Sequence, residues 1–338
     1  MISETLEYVS QGLDMTEHHA HQTMLDIMDG KWTPSQIAGL LMALKVKGET
    51  VNEISGFVNA MRAKALKVDA PDDVVDIVGT GGDGLFTINI STAAAVVAAA
   101  AGVPVAKHGN RSVSSMTGSA DVFAELGVNI NMSPNQALDC LNKVGIVFLF
   151  APLYHASMKH AVVPRKEMGV RTVFNILGPM SNPAGVRRQL IGTFNIDVAE
   201  KMVRVLKQTG SEHVLVVHSA DGMDEISLSS ETQIYELKDG EIKSYKISPE
   251  QFGLQCIDID DIKGGEAVEN AEILNRIFDG QNGPASNAIA LNAGAAIYVG
   301  GVVETIEEGF AKAKEVIASG KVRDKLNELV DYTNSVGS

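Results

Sequence analysis

The chain has 338 residues, of which 45% are hydrophobic, and this is enough for a large core and for two domains or lobes. Acidic residues (42) outnumber lysine and arginine (28), and the net charge of -14 argues against a nucleic-acid-binding surface, because phosphate contacts need clustered positive charge. The two cysteines are far apart and no apolar run is long enough to span a bilayer, so we expect a soluble, cytoplasmic protein without disulfides or a membrane partner.

The first 70 residues predict a small helical lobe. Two segments, Thr33–Gln36 and Thr50–Glu53, have the sequence of a capping box, and apolar residues at helical spacing follow each of them. A lobe of this size cannot easily bury all of its apolar faces alone. We therefore expect it to pack on the rest of the chain, on a second subunit, or on both.

A glycine-rich loop follows the first predicted strand. The strand is the apolar run Val74–Val78, and the loop Gly79–Gly84 contains four glycines, which let backbone N–H groups come close to a ligand. Asn89, Ser91 and Thr92 are suitable N-cap residues for the alanine-rich helix that comes next. The loop has neither the Lys-Ser/Thr ending of a P-loop nor the glycine spacing of a dinucleotide-binding turn.

A basic cluster follows the second predicted strand. Residues 103–106 form this strand, and Lys107, His108 and Arg111 come directly after it. Ligands of parallel sheets bind at the carboxyl ends of the strands, where the cluster and the glycine loop would meet. A glycine-rich turn alone is weak evidence, but this conjunction predicts a phosphate or pyrophosphate site.

The next segments predict a β-α-β-α-β-α-β alternation that continues to a buried strand at Ile146–Phe150, as a doubly wound sheet requires. From Ala151 to Gly185 the pattern breaks into an irregular stretch with prolines and scattered basic residues. Long irregular excursions out of a sheet are usually functional. We therefore interpret this stretch as a functional crossover rather than a solvated linker.

An acidic pair lies beyond the carboxyl end of the last strand that is predicted before the hairpin. Strands are predicted at Gln189–Phe194 and Val214–Val217, and the second is followed by Asp224 and Glu225. Adjacent carboxylates at this edge of the sheet are a candidate magnesium site, although most strings of this kind are charged turns. Residues 238–241 predict a hairpin turn, and the remainder predicts helices that cover the sheet.

Four segments resemble the anthranilate phosphoribosyltransferases, the family that joins anthranilate to phosphoribosyl pyrophosphate (PRPP) in tryptophan biosynthesis. They are Asp76–Asp83, Asn89–Thr92, Lys107–Arg111 and Arg171–Pro179. The resemblance covers essentially the whole chain. The first and third segments are shared in looser form with pyrimidine nucleoside phosphorylases, whereas residues 174–183 favour the transferase.

The resemblance implies an α/β fold with a small N-terminal all-helical domain and a larger domain whose mostly parallel central sheet is flanked by helices. The helical domain would span residues 1–70, with parts of 165–185 packing on it, and the α/β domain residues 71–338. Magnesium as cofactor and a homodimer are also implied. A pyrimidine nucleoside phosphorylase and a non-catalytic nucleic-acid-binding paralogue stay as alternatives, although the latter would be expected to be basic and to lack the acidic pair.

The resemblance also implies a role for each candidate site residue. The residues implied in PRPP binding are Gly79, Gly82, Asp83, Thr87, Asn89, Ile90, Ser91, Thr92, Lys107, His108, Gly109, Asn110, Arg111, Ser112, Val113, Ser114, Ser115 and Ser119. Those implied in anthranilate binding are Gly79, Asn110, Arg165, His108 and Pro179. The implied magnesium ligands are Ser91, Asp224 and Glu225. The chain shows no nucleophile–His–carboxylate set, so we expect no covalent intermediate.

Overall fold

The N-terminal lobe is helical, in a computed structural model that describes residues 2–111 and 116–336. Its helices are α1 (Ile2–Ser10), α2 (Glu17–Met28), α3 (Pro34–Lys47) and α4 (Val51–Lys64). Both predicted capping boxes are present: the side chains of Thr33 and Thr50 each accept a hydrogen bond from the backbone N–H three residues later. These bonds begin α3 and α4 at the residues that the sequence predicts.

A seven-stranded sheet forms the centre of the larger part of the molecule. Its strands are β1 (Val75–Gly79), β2 (Val105–Gly109), β3 (Ile146–Phe150), β4 (Arg188–Gly192), β5 (His213–Ser219), β6 (Thr232–Lys238) and β7 (Glu241–Ile247). The spatial order is β3-β2-β1-β4-β5-β6-β7; β6 pairs antiparallel with both of its neighbours, and all other pairs are parallel. The predicted hairpin joins β6 to β7, and Asp239 and Gly240 adopt the positive φ angles that such a tight turn requires.

Helices cover both faces of the sheet. They are α5 (Ile90–Ala100), α6 (Ser119–Glu125), α7 (Pro134–Val144), α8 (Ala151–Tyr154), α9 (Lys159–Met168), α10 (Phe174–Leu177), α11 (Ile196–Gln208), α12 (Ala267–Phe278), α13 (Pro284–Val299), α14 (Ile306–Ala318) and α15 (Lys321–Val336). Successive strand residues point to opposite faces. Leu215 therefore enters the core that contains α5 and α13, whereas Val214 and Val216 enter the core that contains α11 and the helical lobe. Within the described ranges, no helix is long and apolar enough to cross a membrane.

The structure corrects three expectations about local structure. Between β2 and β3 the described residues form two successive helices, α6 and α7, and no strand, so the expected alternation is wrong there. Residues 151–185 are irregular only in part, at 169–173 and 178–185, because they also form the short helices α8, α9 and α10.

The third correction concerns the start of β2. The N–H of Val103 donates to Ala98 O at 3.1 Å, and Gly102 has a φ of 98°. Val103 therefore completes the C-terminal cap of α5. The strand begins two residues later than expected, and Lys107 and His108 lie inside it.

Candidate active site

The candidate site lies where the strand order of the sheet reverses, between β1 and β4. These strands run in parallel to their last residues, Gly79 and Gly192, and the connection after β5 carries Asp224 across both ends. A Cβ atom on Gly79 would lie 2.5 Å from Asp224 Oδ2, and one on Gly192 would lie 1.5 Å from the main-chain oxygen of Asp224. Both strands therefore need glycine at this point. Open parallel sheets bind their ligands at such a reversal.

The acidic pair contacts the glycine loop and the first turn of α5. The N–H of Gly81 donates to Asp224 Oδ2 at 2.6 Å, and the N–H of Ser91 donates to Glu225 Oε1 at 3.2 Å. Both amides belong to the segments that the sequence assigns to phosphate, and a helix N-terminus stabilises negative charge. The structure thus brings the acidic pair against two neighbouring segments that lie more than 130 residues before it in the chain.

Both acidic side chains have raised pKa values. Burial is the main cause, since Asp224 and Glu225 are each only 8% exposed. Neighbouring negative charge adds to it: Asp83 raises the pKa of Asp224, and Asp224 raises that of Glu225. The carboxylates therefore repel one another in a place that water does not screen.

Lys107 supplies positive charge beneath this pair. Its ammonium group is buried, and Nζ donates to Ile77 O at 2.5 Å and to Ser91 Oγ at 3.3 Å. Burial lowers the pKa of Lys107, while the charges of Asp76 and the acidic pair oppose that shift. Among the described residues, Lys107 thus lies near three acidic side chains, Asp76, Asp224 and Glu225, and negative charge is in excess.

This donor set fits magnesium that is held jointly with a substrate. In the part of the chain that the structure describes, no group of three or more His, Cys, Asp or Glu side chains forms a metal cage. Mg²⁺ is usually bound by one or two carboxylates together with substrate phosphates and waters. Asp224 and Glu225 provide two adjacent, mutually repelling carboxylates, which is the arrangement that a divalent cation stabilises.

The start of α5 differs in detail from the expectation. Asn89 occupies the N-cap position, but its side chain does not cap the helix. It donates to Thr117 O at 3.3 Å and accepts from Asn270 Nδ2 at 2.7 Å instead. Ile90, Ser91 and Thr92 form the first turn of α5, so the two hydroxyl residues are not N-caps. The buried Thr92 hydroxyl has no hydrogen-bond partner among the described residues.

The glycine loop is fixed at its far end by other segments. Gly82 has a φ of 78°, and its carbonyl accepts a hydrogen bond from the guanidinium group of Arg171. Asp83 Oδ1 accepts from the N–H of Leu85 at 3.1 Å. Thr87 forms an isolated β-bridge with Lys263.

The connection after β2 carries the rest of the residues implied in PRPP binding. Asn110 Oδ1 accepts from the N–H of Arg111 at 2.8 Å, and the guanidinium group of Arg111 pairs with Asp121 at 2.6 Å. A Cβ atom on Gly109 would lie 2.2 Å from Ser119 Oγ, so this strand end also needs glycine. Four implied residues lie outside the described ranges: Ser112, Val113, Ser114 and Ser115.

His108 lies next to the segment that contains Pro179. Its ring is 5.2 Å from that of His155, measured between centroids, and contacts the main chain of Gly178. Burial lowers the pKa of His108 to about 3, so the imidazole is uncharged at neutral pH. Pro179 is buried, and its carbonyl accepts from Gln189 Nε2 at 2.9 Å. The uncharged His108 ring, only 5% exposed, therefore lies close to the segment that contains Pro179.

Arg165 is a partly buried cation on α9. Its guanidinium carbon lies 5.2 Å from the centre of the Phe174 ring, and burial lowers its pKa. Within residues 2–111 and 116–336, no carboxylate forms an ion pair with it. Desolvated charges are normally paired, so an anionic ligand would complete this environment.

Comparisons with known proteins match both parts of the chain. A family model for the a/b domain of a glycosyl transferase family matches residues 71–323, and that for its helical bundle domain matches residues 3–65. Anthranilate phosphoribosyltransferase of Acetivibrio thermocellus is 49% identical over 336 residues, which are 99% of this chain and 97% of the relative. That of Geobacillus kaustophilus is 49% identical over 331 residues, 97% of each chain. The chain belongs to the anthranilate phosphoribosyltransferase family.

Solved structures of anthranilate phosphoribosyltransferases have the same fold. The structure from Thermus thermophilus has a TM-score of 0.93 and 40% identity, and the match covers 98% of this chain and 99% of that chain. The Saccharomyces cerevisiae enzyme in complex with PRPP and Mg has a TM-score of 0.90 and 27% identity, and 99% of each chain is covered. The predicted family and the predicted fold, a helical domain plus an α/β domain with a mostly parallel sheet, are confirmed.

Several polar residues behind this transferase site escaped the sequence analysis. Asp76 is fully buried, and its carboxylate accepts from the N–H of His108 at 3.1 Å and from Asn182 Nδ2 at 2.8 Å. Burial raises the pKa of Asp76 to about 6. An aspartate inside an apolar strand is a visible signal that could have identified it. Asn182 and Asn270 gave no such signal, because their partners lie far away in the chain.

Proposed function

We propose that this chain transfers the phosphoribosyl group of PRPP to the amine of anthranilate, giving N-(5'-phosphoribosyl)anthranilate and pyrophosphate in tryptophan biosynthesis. The observation that carries the proposal is the acidic pair, which lies against the glycine loop in a chain that is 49% identical to an anthranilate phosphoribosyltransferase. The chain would then be a magnesium-dependent pentosyltransferase. The complex of the yeast enzyme with PRPP and Mg supports magnesium as the cofactor.

The reaction replaces pyrophosphate at the anomeric carbon of the ribose. Negative charge grows on the leaving pyrophosphate, and magnesium held by Ser91, Asp224 and Glu225 would neutralise part of it. Backbone amides of the glycine loop and of the start of α5, together with Lys107, would stabilise the rest, since preoriented donors cost no reorganisation during the reaction. The amine of anthranilate is already neutral at pH 7. We therefore propose direct displacement without a covalent intermediate.

We further propose that the two substrates meet at the switch between β1 and β4. Asp224, Glu225 and Ser91 would hold magnesium, and the described residues implied in PRPP binding would surround the pyrophosphate and ribose. Arg165 would bind the carboxylate of anthranilate, because its partly buried charge has no acidic partner among the described residues. The uncharged His108, with Asn110, Gly79 and Pro179, would line the path of the aromatic ring.

An assay with both sets of substrates tests the activity. Purified protein with anthranilate, PRPP and magnesium chloride should consume anthranilate, which is followed by the change in its fluorescence. No base should be released from thymidine in the presence of phosphate. Release of thymine without consumption of anthranilate would contradict the proposal and support a nucleoside phosphorylase.

A homodimer formed through the helical lobe is also proposed. Met42 and Val46, one helical turn apart on α3, are 39% and 83% exposed and together present apolar area on the surface of the lobe. Light scattering should give twice the chain mass of 35.9 kDa, and Val46→Glu should shift the protein towards the monomer. A monomer mass for the unmodified protein would refute this.

We also propose that the chain divides into two domains near residue 70. The residues between the end of α4 and the start of β1 belong to no helix or strand, which supports this boundary. The cytoplasmic location and the absence of a nucleic-acid partner stay predictions from the sequence.

A further inference from the structure

The acidic pair belongs to a connection whose main chain is held from a distant helix. Ile226 directly follows Glu225, and the carboxamide of Asn292 on α13 binds both of its main-chain groups. Asn292 Oδ1 accepts from the N–H of Ile226 at 2.9 Å, and Asn292 Nδ2 donates to Ile226 O at 2.9 Å. The same Nδ2 donates to Ala288 O at 3.0 Å, and the residue is 0% exposed. Two of these three bonds join α13 to the connection, and the third lies within α13.

The other side of the pair is held by Asp221. Its Oδ1 accepts from the N–H of Met223, the residue before Asp224, at 3.0 Å. Its Oδ2 accepts hydrogen bonds from the hydroxyl groups of Ser227 (2.6 Å) and Ser229. The main chain is therefore fixed immediately before and immediately after the two acidic residues.

This attachment at both ends is needed because the side chains of Asp224 and Glu225 repel each other. Two buried carboxylates, with Asp83 close by, repel each other and would move apart if the main chain were free. Mg²⁺ demands near-ideal octahedral geometry, so small displacements of its ligands weaken binding. Partners of the ligands that do not touch the metal commonly change its affinity by about 10–100-fold.

We propose that Asn292 is a positioning residue that holds Asp224 and Glu225 in the geometry for magnesium, with Asp221 acting from the other side. Asn292 bonds to main chain only, so its effect on the metal passes through Ile226. The inference rests on the proposed role of the acidic pair as magnesium ligands.

A magnesium titration of PRPP binding, without anthranilate, tests this role. The full chain is mixed with PRPP at increasing magnesium chloride, and binding is measured by calorimetry or by the thermal shift. Asn292→Leu keeps the side-chain volume and removes the hydrogen bonds. We expect it to need about tenfold more magnesium for half-maximal binding. At saturating magnesium, KM for anthranilate should stay within about twofold of the unmodified value, because that site is not involved.

Asn287→Leu is the matched control. Asn287 lies on the same helix, but its side chain accepts from Lys314 Nζ at 2.8 Å, on α14, away from the acidic pair. This variant should keep the magnesium requirement of the unmodified protein. If Asn292→Leu does not fold, Asp221→Ala tests the other attachment in the same titration, with a shift in the same direction.

Two results would overturn the proposal. One is a folded Asn292→Leu or Asp221→Ala protein with an unchanged magnesium requirement, and the other is a loss of PRPP binding that no magnesium concentration restores. The double variant Asp224→Asn/Glu225→Gln separates this failure from that of the proposed function. If it keeps a normal magnesium requirement, the metal assignment itself is wrong. If it loses the requirement while Asn292→Leu changes nothing, only the positioning role is wrong.

Discussion

Two buried clusters of ionisable side chains lie at opposite ends of the sheet, and they differ in how their charges are satisfied. At the amino end of β5, Glu236 accepts hydrogen bonds from His213 at 3.1 Å and from the hydroxyl of Tyr298 at 2.6 Å. Burial acts to raise the pKa of Glu236, but these bonds outweigh it, and the pKa lies below its usual value. At the carboxyl end, Asp224 and Glu225 face other carboxylates, and their pKa values are raised.

The comparison separates a cluster whose charge the protein itself satisfies from one whose charges it leaves unsatisfied. Glu236 finds its donors within the protein, so its charge is stabilised by the fold alone. The acidic pair receives one amide each from Gly81 and Ser91, which do not offset the repulsion. A cation from outside would complete the second cluster but has no place in the first. Helix α13 contributes a residue to each cluster: the Tyr298 hydroxyl donates to Glu236, and Asn292 accepts from the N–H of Ile226 beside the acidic pair.

The largest effect should come from neutralising the acidic pair. The double variant Asp224→Asn/Glu225→Gln should lose at least about 100-fold in kcat, since it removes charge that stabilises the leaving group through the metal. The remaining activity should no longer depend on magnesium. Steady-state kinetics over a magnesium series measures both, and normal turnover would show that the metal is held elsewhere.

Removal of the Arg165 side chain, which pairs with no carboxylate among the described residues, should give the next largest effect. Arg165→Ala should raise KM for anthranilate by roughly 10–100-fold, the loss expected for a charged hydrogen bond of about 1.5–3 kcal/mol. KM for PRPP should change far less. Initial rates with each substrate varied in turn provide the test, and equal effects on both KM values would contradict the assigned role.

A substitution in the Glu236 cluster should lower stability but leave catalysis unchanged. Glu236→Gln weakens the bonds from His213 and Tyr298 and should lower the free energy of unfolding by about 1–3 kcal/mol, with kcat/KM unchanged. Chemical denaturation and the standard assay measure the two. Glu231→Gln is the matched control: its ion pair with Lys246 is exposed at the surface, so the change should stay within about 0.5 kcal/mol. A large loss of activity in Glu236→Gln would remove the contrast between the clusters.

The stability of the protein should also depend on pH. The pKa values of Asp224 and Glu225 are raised to about 7 and about 8, above the ordinary values of 3.8 and 4.5. Between these limits the folded protein keeps protons that the unfolded chain has released, so stability falls as pH rises through this range. Denaturation without magnesium should show this decline, and Asp224→Asn/Glu225→Gln should flatten it. An equally steep decline in the double variant would assign it to other groups.

Local features were predictable because they depend on residues a few positions apart. The capping boxes at Thr33 and Thr50, the glycine loop after β1 and the hairpin before β7 follow from short patterns, and all are present. The errors have local causes as well. Val103 looked like a strand residue by its apolar character, but it is bonded into the end of α5 and so moved the start of β2.

The sequence by itself determined the family, the α/β class and the position of the acidic pair after β5, because motifs and periodicity depend on neighbouring residues. Only the tertiary structure decided which charges are satisfied. It buried Lys107 under the acidic pair, joined Asp76 to Asn182 across 106 positions, and attached Asn292 to Ile226 across 66. The physical reason is that desolvation and hydrogen bonding depend on distance in space, and a folded chain brings together groups whose separation in sequence carries no signal.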